Sequence, residues 1–208
     1  MDRKIRVLIT DDHATVRQGF RLVFSVQRDL LLVAEATNGE EAVQKTRETQ
    51  PDVIVMDLVL PVKDGVAATR EITQEFPAAR ILALTSFDDE MVFEAIKGGA
   101  LGYLFKDTAP EQLLDAIRSV YRGESALQPA IAGKVLQEFK RLAAQPEAEA
   151  SLTSRQWEVL QRLSEGLTNH DIAGELDITA RTVATDVRNI LDKLHLANRT
   201  QPAPYGRA

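Results

Sequence analysis

Asp11, Asp12, Asp57, Thr85 and Lys106 each stand at the carboxyl end of a short apolar run, and together they could do phosphoryl chemistry. Asp11 and Asp12 follow Ile5–Thr10, Asp57 ends Val53-Ile54-Val55-Met56-Asp57, Thr85 ends the run from Arg80, and Lys106 ends the run from Gly102. Three carboxylates in one crevice repel each other and need a cation. Hard oxygen ligands with room for water and a phosphate suit Mg²⁺. Lys106 adds a point positive charge and Thr85 a hydroxyl donor, the groups wanted around a phosphoryl unit with charge on its equatorial oxygens. Asp57 is then the candidate nucleophile, and an aspartate accepts a phosphoryl group without a general base. His13 adjoins the acidic pair, where a single histidine is more often packing or solvent-facing than a base. No serine–histidine pair, glycine-rich phosphate loop or HExxH stretch competes. Each residue alone is as well explained as a strand or helix cap; only the set in register points to a shared site.

Such a set needs parallel strands whose carboxyl ends share one rim. Val53–Met56 is wholly apolar, as in a strand buried on both faces. Strands are expected over Ile5–Thr10, Leu30–Glu35, Val53–Asp57, Arg80–Thr85 and Gly102–Lys106. Helices are expected from Ala14 to about Val26, from Asn38 to about Thr49, over Asp64–Phe76 and Asp89–Lys97, and from Pro110 to about Tyr121. Five strands alternating with five helices predict a flavodoxin-like α/β domain. Its parallel sheet has the order 2-1-3-4-5, with right-handed crossovers and a crevice between strands 1 and 3. The boundaries expected are 1–123 for this domain, 124–150 for a helical linker and 151–208 for a small all-α domain. The linker holds a helix over Pro129–Ala143 and a polar stretch over 145–150.

The 208 residues are 44% hydrophobic, enough for two cores, and contain no cysteine, which excludes disulfide, zinc-thiolate and thiol-nucleophile chemistry. No signal peptide or membrane-spanning stretch is seen, so a cytoplasmic protein with no membrane partner is expected. The net charge of −6 lies wholly in 1–149, with 18 basic and 24 acidic residues; 150–208 holds seven of each. DNA-binding domains are usually basic, so the neutral second part counts against a simple assignment.

In that second part, helices are expected at roughly 153–165, 168–176 and 180–194. The last two are joined by Leu176-Asp177-Ile178-Thr179, the length of a helix-turn-helix connection. Val183, Val187, Ile190, Leu191 and Leu194 form a core face, and Arg181, Ala184, Thr185 and Arg188 form another, with Thr179 as N-cap. Arginine and threonine facing outward after a short turn suit entry into a major groove. They are equally compatible with a plain solvated face.

Asp11-Asp12, Asp57, Thr85, Tyr103 and Lys106 resemble, residue by residue, the motif of a two-component response regulator receiver domain, over about residues 3–122. The resemblance implies that Asp57 takes phosphate from a sensor histidine kinase. It also implies that Asp12, Asp57 and the Val59 carbonyl hold Mg²⁺, with Asp11 acting through water. Lys106 would contact the phosphoryl group, and Thr85 would turn toward it and let Tyr103 swing inward, a two-state switch.

Leu152-Thr153, Glu158-Val159-Leu160, Glu165-Gly166-Leu167-Thr168-Asn169, Asp171-Ile172-Ala173, Thr182-Val183 and Asn198-Arg199-Thr200-Gln201 are similar to the LuxR-type helix-turn-helix, over about 151–201. Receiver plus this domain resembles the NarL/FixJ class of transcription factors. That implies promoter DNA as partner, contacts from Arg181, Thr182, Thr185, Arg188 and Lys193, and a homodimer on phosphorylation. Three departures stand out. Ala184 replaces a usual lysine, and Asp186 replaces a common histidine, where a carboxylate near phosphates would cost affinity. Pro202 and Pro204 interrupt the helix that usually pairs output domains. These departures keep a second function open: a phosphoacceptor that acts through protein contacts. Hydrolysis of external aspartyl-phosphate-forming substrates is disfavoured, because such enzymes carry an acid two residues after the nucleophile and Val59 stands there.

Overall fold

The computed structural model describes residues 3–86, 89–143 and 152–199. Its first domain alternates strand and helix: β1 (Ile5–Thr10), α1 (Ala14–Ser25), β2 (Leu30–Ala36), α2 (Gly39–Thr49), β3 (Val53–Asp57), α3 (Gly65–Glu75), β4 (Ile81–Thr85), α4 (Asp89–Lys97), β5 (Gly102–Phe105) and α5 (Pro110–Tyr121). All strand pairs are parallel, and the order is β2-β1-β3-β4-β5, extended by a sixth strand, β6 (Ala126–Leu127). The five-strand expectation needs this one correction. Two residues carry too little pattern to announce a strand, and β6 forms because the edge of β5 is free to pair with it.

Every residue of β3 and β4 is buried, as their unbroken apolar runs require once helices cover both faces. On one face, α1 and α5 bury Phe20, Phe24, Leu113, Leu114, Ile117 and Val120 against the sheet. On the other, α2, α3 and α4 supply Ala42, Ala68, Ile72, Val92 and Ile96. Local chemistry starts two of these helices. Asn38 Oδ1 accepts the Glu41 N–H at 2.9 Å, and Asp64 Oδ1 accepts the Ala67 N–H at 2.7 Å, each satisfying a donor that the first turn leaves free.

The second face continues into the C-terminal half. The helix α6 (Pro129–Ala143) packs along α7 (Ser154–Ser164), placing the Trp157 ring edge-on to Phe139 with centroids 6.5 Å apart. Helix α8 (Asn169–Glu175) and α9 (Ala180–Arg199) follow, and α9 also lies against α4. One apolar cluster therefore runs without a break from the sheet through Val135 and Phe139 to Val183, Val187, Ile190 and Leu191. Thr153 and Thr168 each form reciprocal capping boxes, with Gln156 and Asp171. The polar stretch over 145–150, the Leu194 side chain, Thr200, Gln201, Pro202 and Pro204 lie outside the described residues or side chains.

Candidate functional site

Topology places the chemistry. β1, β3, β4 and β5 are adjacent and parallel, so Asp11, Asp57, Thr85 and Lys106 reach one rim from four consecutive strands of the sheet. Asp11 and Asp57 are almost wholly buried, at 0% and 1% exposure. Lys106 bridges them, its Nζ 2.9 Å from Asp11 Oδ2 and 2.5 Å from Asp57 Oδ2. The second oxygen of Asp57 accepts the Val59 N–H at 3.0 Å. Asp12, more exposed, pairs with His13 Nδ1 at 2.6 Å, while the His13 N–H donates to Asp11 Oδ1 at 2.8 Å.

Gly65 is required behind this rim. A Cβ there would lie 1.9 Å from the Asp57 carbonyl oxygen, so only glycine lets α3 begin directly beneath the nucleophile candidate. Between them the loop passes through Val62, exposed and held at φ 67°, a conformation costly for a β-branched residue.

The electrostatics follow from burial. Desolvation pushes the Asp57 carboxyl above the usual aspartate range, against the opposing pull of Lys106 and the Val59 N–H. Burial alone would lower Lys106, but its bonds to Asp57 and Asp11 outweigh this and raise it, so it stays an ammonium ion. Three carboxylates face one ammonium, which leaves the pocket two negative charges in excess. Asp11, Asp12 and His13 also bring ligand atoms within 4.8 Å of one another. An oxygen-rich, doubly negative pocket suits a hard divalent cation. The Thr85 hydroxyl is buried and has no hydrogen-bond partner among the described residues, an open donor at the end of β4. Its own carbonyl accepts the Lys106 N–H at 3.0 Å.

Tyr103 is buried in β5, at 1% exposure, its hydroxyl donating to the Ala100 carbonyl at 2.7 Å. Burial first, then the negative charge of Asp192 on α9, holds its phenol well above the ordinary tyrosine range. The Tyr103 ring is thus already buried, within the apolar cluster that also takes in α4 and α9.

The expected DNA-contact residues divide. Arg181, Thr185 and Arg188 are exposed, and Thr182 is half-buried with its N–H on Thr179 Oγ1 at 3.1 Å. Lys193 instead donates to Gln156 Oε1 at 2.8 Å, tying α9 to the cap of α7. Asp186 faces inward. It is 2% exposed, and its two oxygens take Arg155 Nε at 2.7 Å and the second guanidinium nitrogen at 3.0 Å. The spacing in α9 contained this answer, since Asp186 lies three residues after Val183 and four before Ile190, among the core positions. Ala184 is buried too, at 3%. Gln128 escaped sequence reasoning entirely. Just past β6, it accepts the Phe105 N–H at 2.9 Å and donates to Thr108 Oγ1 at 2.7 Å, which pins the turn carrying Lys106.

Two family models match the chain: a response regulator receiver domain over residues 7–118, and bacterial regulatory proteins of the luxR family over 150–205. The transcriptional regulatory protein LiaR of Bacillus subtilis is 43% identical over 202 residues, covering 97% of this chain and 96% of LiaR. YxjL of the same organism, also a transcriptional regulatory protein, is 43% identical over 206 residues, covering 97% and 94%. A two-component response regulator of the LuxR family from Aurantimonas sp. SI85-9A1 superposes with a TM-score of 0.62 at 38% identity, over 66% of this chain and 99% of that one.

Proposed function

Because this chain belongs to the response regulators that join a receiver domain to a LuxR-type DNA-binding domain, we propose that Asp57 is the phosphoacceptor through which it is controlled. The protein is a DNA-binding transcriptional regulator of the two-component type. The phosphoryl donor we assign is a sensor histidine kinase. An Asp57 oxygen attacks phosphorus as the bond to the kinase histidine nitrogen breaks, leaving an aspartyl phosphate.

The observation that carries this is the Asp57–Lys106–Asp11 bridge beside an unpartnered Thr85 hydroxyl. Lys106 holds Asp57 in place before transfer and, still charged, follows the added oxygens after it. Thr85 offers them the donor it does not otherwise use. Asp11, Asp12 and Asp57, with the Val59 carbonyl, would hold a Mg²⁺ ion, which supplies neutralisation of the carboxylates and of the phosphoryl oxygens when bound. Self-catalysed transfer from small donors and self-catalysed hydrolysis would be the only chemistry at this site.

Output depends on freeing α9. Arg181, Thr185 and Arg188 face the receiver domain across a cleft, whereas a recognition helix must enter a groove of DNA. Packing against α4 holds α9 there, so movement of Thr85 on phosphorylation, passed on through α4, would weaken that contact. The released regulator then binds promoter DNA, in the cytoplasm, as a homodimer. The paired, buried state of Asp186 supports DNA output over action by protein contact alone, because its charge is spent on Arg155 rather than turned toward phosphates.

The test is acetyl phosphate with Mg²⁺, followed by phosphate-affinity electrophoresis and selection of bound genomic fragments. Wild type is expected to shift and to enrich discrete sites only when phosphorylated. Stoichiometric labelling of Asp57→Asn would overturn the assignment.

A further inference from the structure

We propose that the cleft between the receiver and output domains is a binding site for a small polyphosphate anion. The cleft has a volume of about 660 Å³ and is lined by Arg80 and Arg122 from the receiver side and Arg181 and Arg188 from α9. Glu124 is the one carboxylate on its wall, and both its oxygens are already taken by Arg122, at 3.0 and 2.7 Å. Four guanidinium groups therefore meet one carboxylate, in a chain whose overall charge is −6.

Among the described residues, Arg80, Arg181 and Arg188 have no carboxylate partner. Arg80 is held only against the Tyr121 ring, 5.5 Å from its centroid. Like charges facing each other across a half-enclosed space focus a positive potential, which draws a counter-anion. Arginine is the side chain whose fork matches phosphate oxygens two at a time. The walls also offer apolar surface at Leu101, and the volume falls in the range of small-molecule sites. A DNA duplex needs the open face of α9, which this arrangement does not present. The occupant is therefore a compact polyanion bearing several phosphates.

The anion would bridge both domains and favour the closed arrangement. Since Arg181 and Arg188 belong to the face assigned to DNA, anion and DNA would exclude each other, and each would weaken the other by the same factor. This inference rests on the closed arrangement of α9 and not on the acceptor role of Asp57.

Calorimetric titration of the unphosphorylated full chain with inorganic tripolyphosphate, and separately with adenosine triphosphate, tests it, in a metal-chelating buffer at low salt. One site per chain is expected for both. Replacing Arg80, Arg122 or Arg188 singly by Gln is expected to weaken binding about tenfold each, the value of one charge-assisted contact. Tighter binding of adenosine triphosphate than of tripolyphosphate would identify a nucleotide as the occupant, and equal binding the phosphate chain alone. Thermal unfolding of each variant separates a lost site from a lost fold, and R80A provides a second variant on the receiver side of the cleft. No binding by wild type would overturn the proposal. So would binding that Arg188→Gln abolishes and that Arg80→Gln and Arg122→Gln leave intact, since the anion would then sit on the DNA face alone.

Discussion

The acidic pocket and the basic cleft are opposite solutions to unbalanced charge. The pocket sets three carboxylates against one ammonium, and that ammonium is hydrogen-bonded to two of them inside one domain. The cleft sets four guanidinium groups against one carboxylate, three of the four having no carboxylate partner among the described residues, and the groups are divided between two domains. In the pocket, burial makes each contact electrostatically strong and fixes geometry. In the cleft, solvent screens the repulsion, so the imbalance is tolerated there.

The largest effect expected from disturbing the pocket is loss of phosphate uptake in Asp57→Asn, to no detectable labelling by intact-protein mass spectrometry. Lys106→Met should still label, more slowly, and should respond to phosphorylation less, because the ammonium acts on the added oxygens as well as on Asp57. A Lys106→Met protein that enriched its DNA sites as wild type does would show that the bridge is structural only.

A third cluster sharpens the contrast, since it is balanced. Arg155 and Asp186 pair one to one, with Asp186 at 3% side-chain exposure and Arg155 at 55%. Arg155→Ala leaves a buried carboxylate alone and should lower the denaturation midpoint of the output domain, by less than loss of a fully buried pair because Arg155 is half in solvent. Chemical denaturation reads this, and R155L combined with D186L should recover much of the loss. An unchanged midpoint in the single variant would mean that Asp186 finds another partner.

The order of strands, the rim and the residues on it were legible in the sequence, for one reason. Parallel βα units bring successive strand ends to the same edge, so the periodicity of Ile5–Thr10, Val53–Asp57 and their neighbours dictates where Asp11, Asp57, Thr85 and Lys106 must meet. β6 and Gln128 were not legible, because a two-residue strand and one glutamine have no period. The cleft was illegible for a deeper reason. Arg80, Arg122, Arg181 and Arg188 are scattered over more than a hundred positions, and only the docking of α9 on the receiver brings them together. Asp186 was misjudged by identity. Its place between Val183 and Ile190 marked it as inward, but its charge suggested the DNA side.

Stability should also depend on pH through Asp57. Its carboxyl is raised on folding, so between the ordinary aspartate value and the raised one the folded protein binds the extra proton, and stability falls as pH rises through that window. Above that window the penalty is fully present. Asp57→Asn removes it, and the variant should there be more stable than wild type, read as a higher denaturation midpoint. The advantage should fade as pH falls toward about 3.9. Raised Lys106 gives the same sign in a more alkaline window, since its contribution is present at neutral pH and is lost only as pH rises through its folded value. A gain in Asp57→Asn that persisted unchanged in acid would locate it elsewhere than in this charge.

The smallest effect is expected at Thr85, and it bears on what distinguishes a pocket residue from a core residue. Its hydroxyl is buried and unpartnered, and so is that of Thr69 on α3, away from the rim. An unsatisfied buried hydroxyl costs free energy, whereas an isosteric methyl does not. Thr85→Val and Thr69→Val should therefore both leave the unphosphorylated protein equally stable or more stable, by up to about 1 kcal/mol. The two should part company only after phosphorylation. Thr69→Val should switch normally, while Thr85→Val should take up phosphate and fail to release α9, seen as labelling without enrichment of DNA sites. If Thr85→Val lost stability like an ordinary hydrogen-bonded core threonine, its hydroxyl would already be satisfied before any phosphate arrives, and Thr85 could not be the group that senses it.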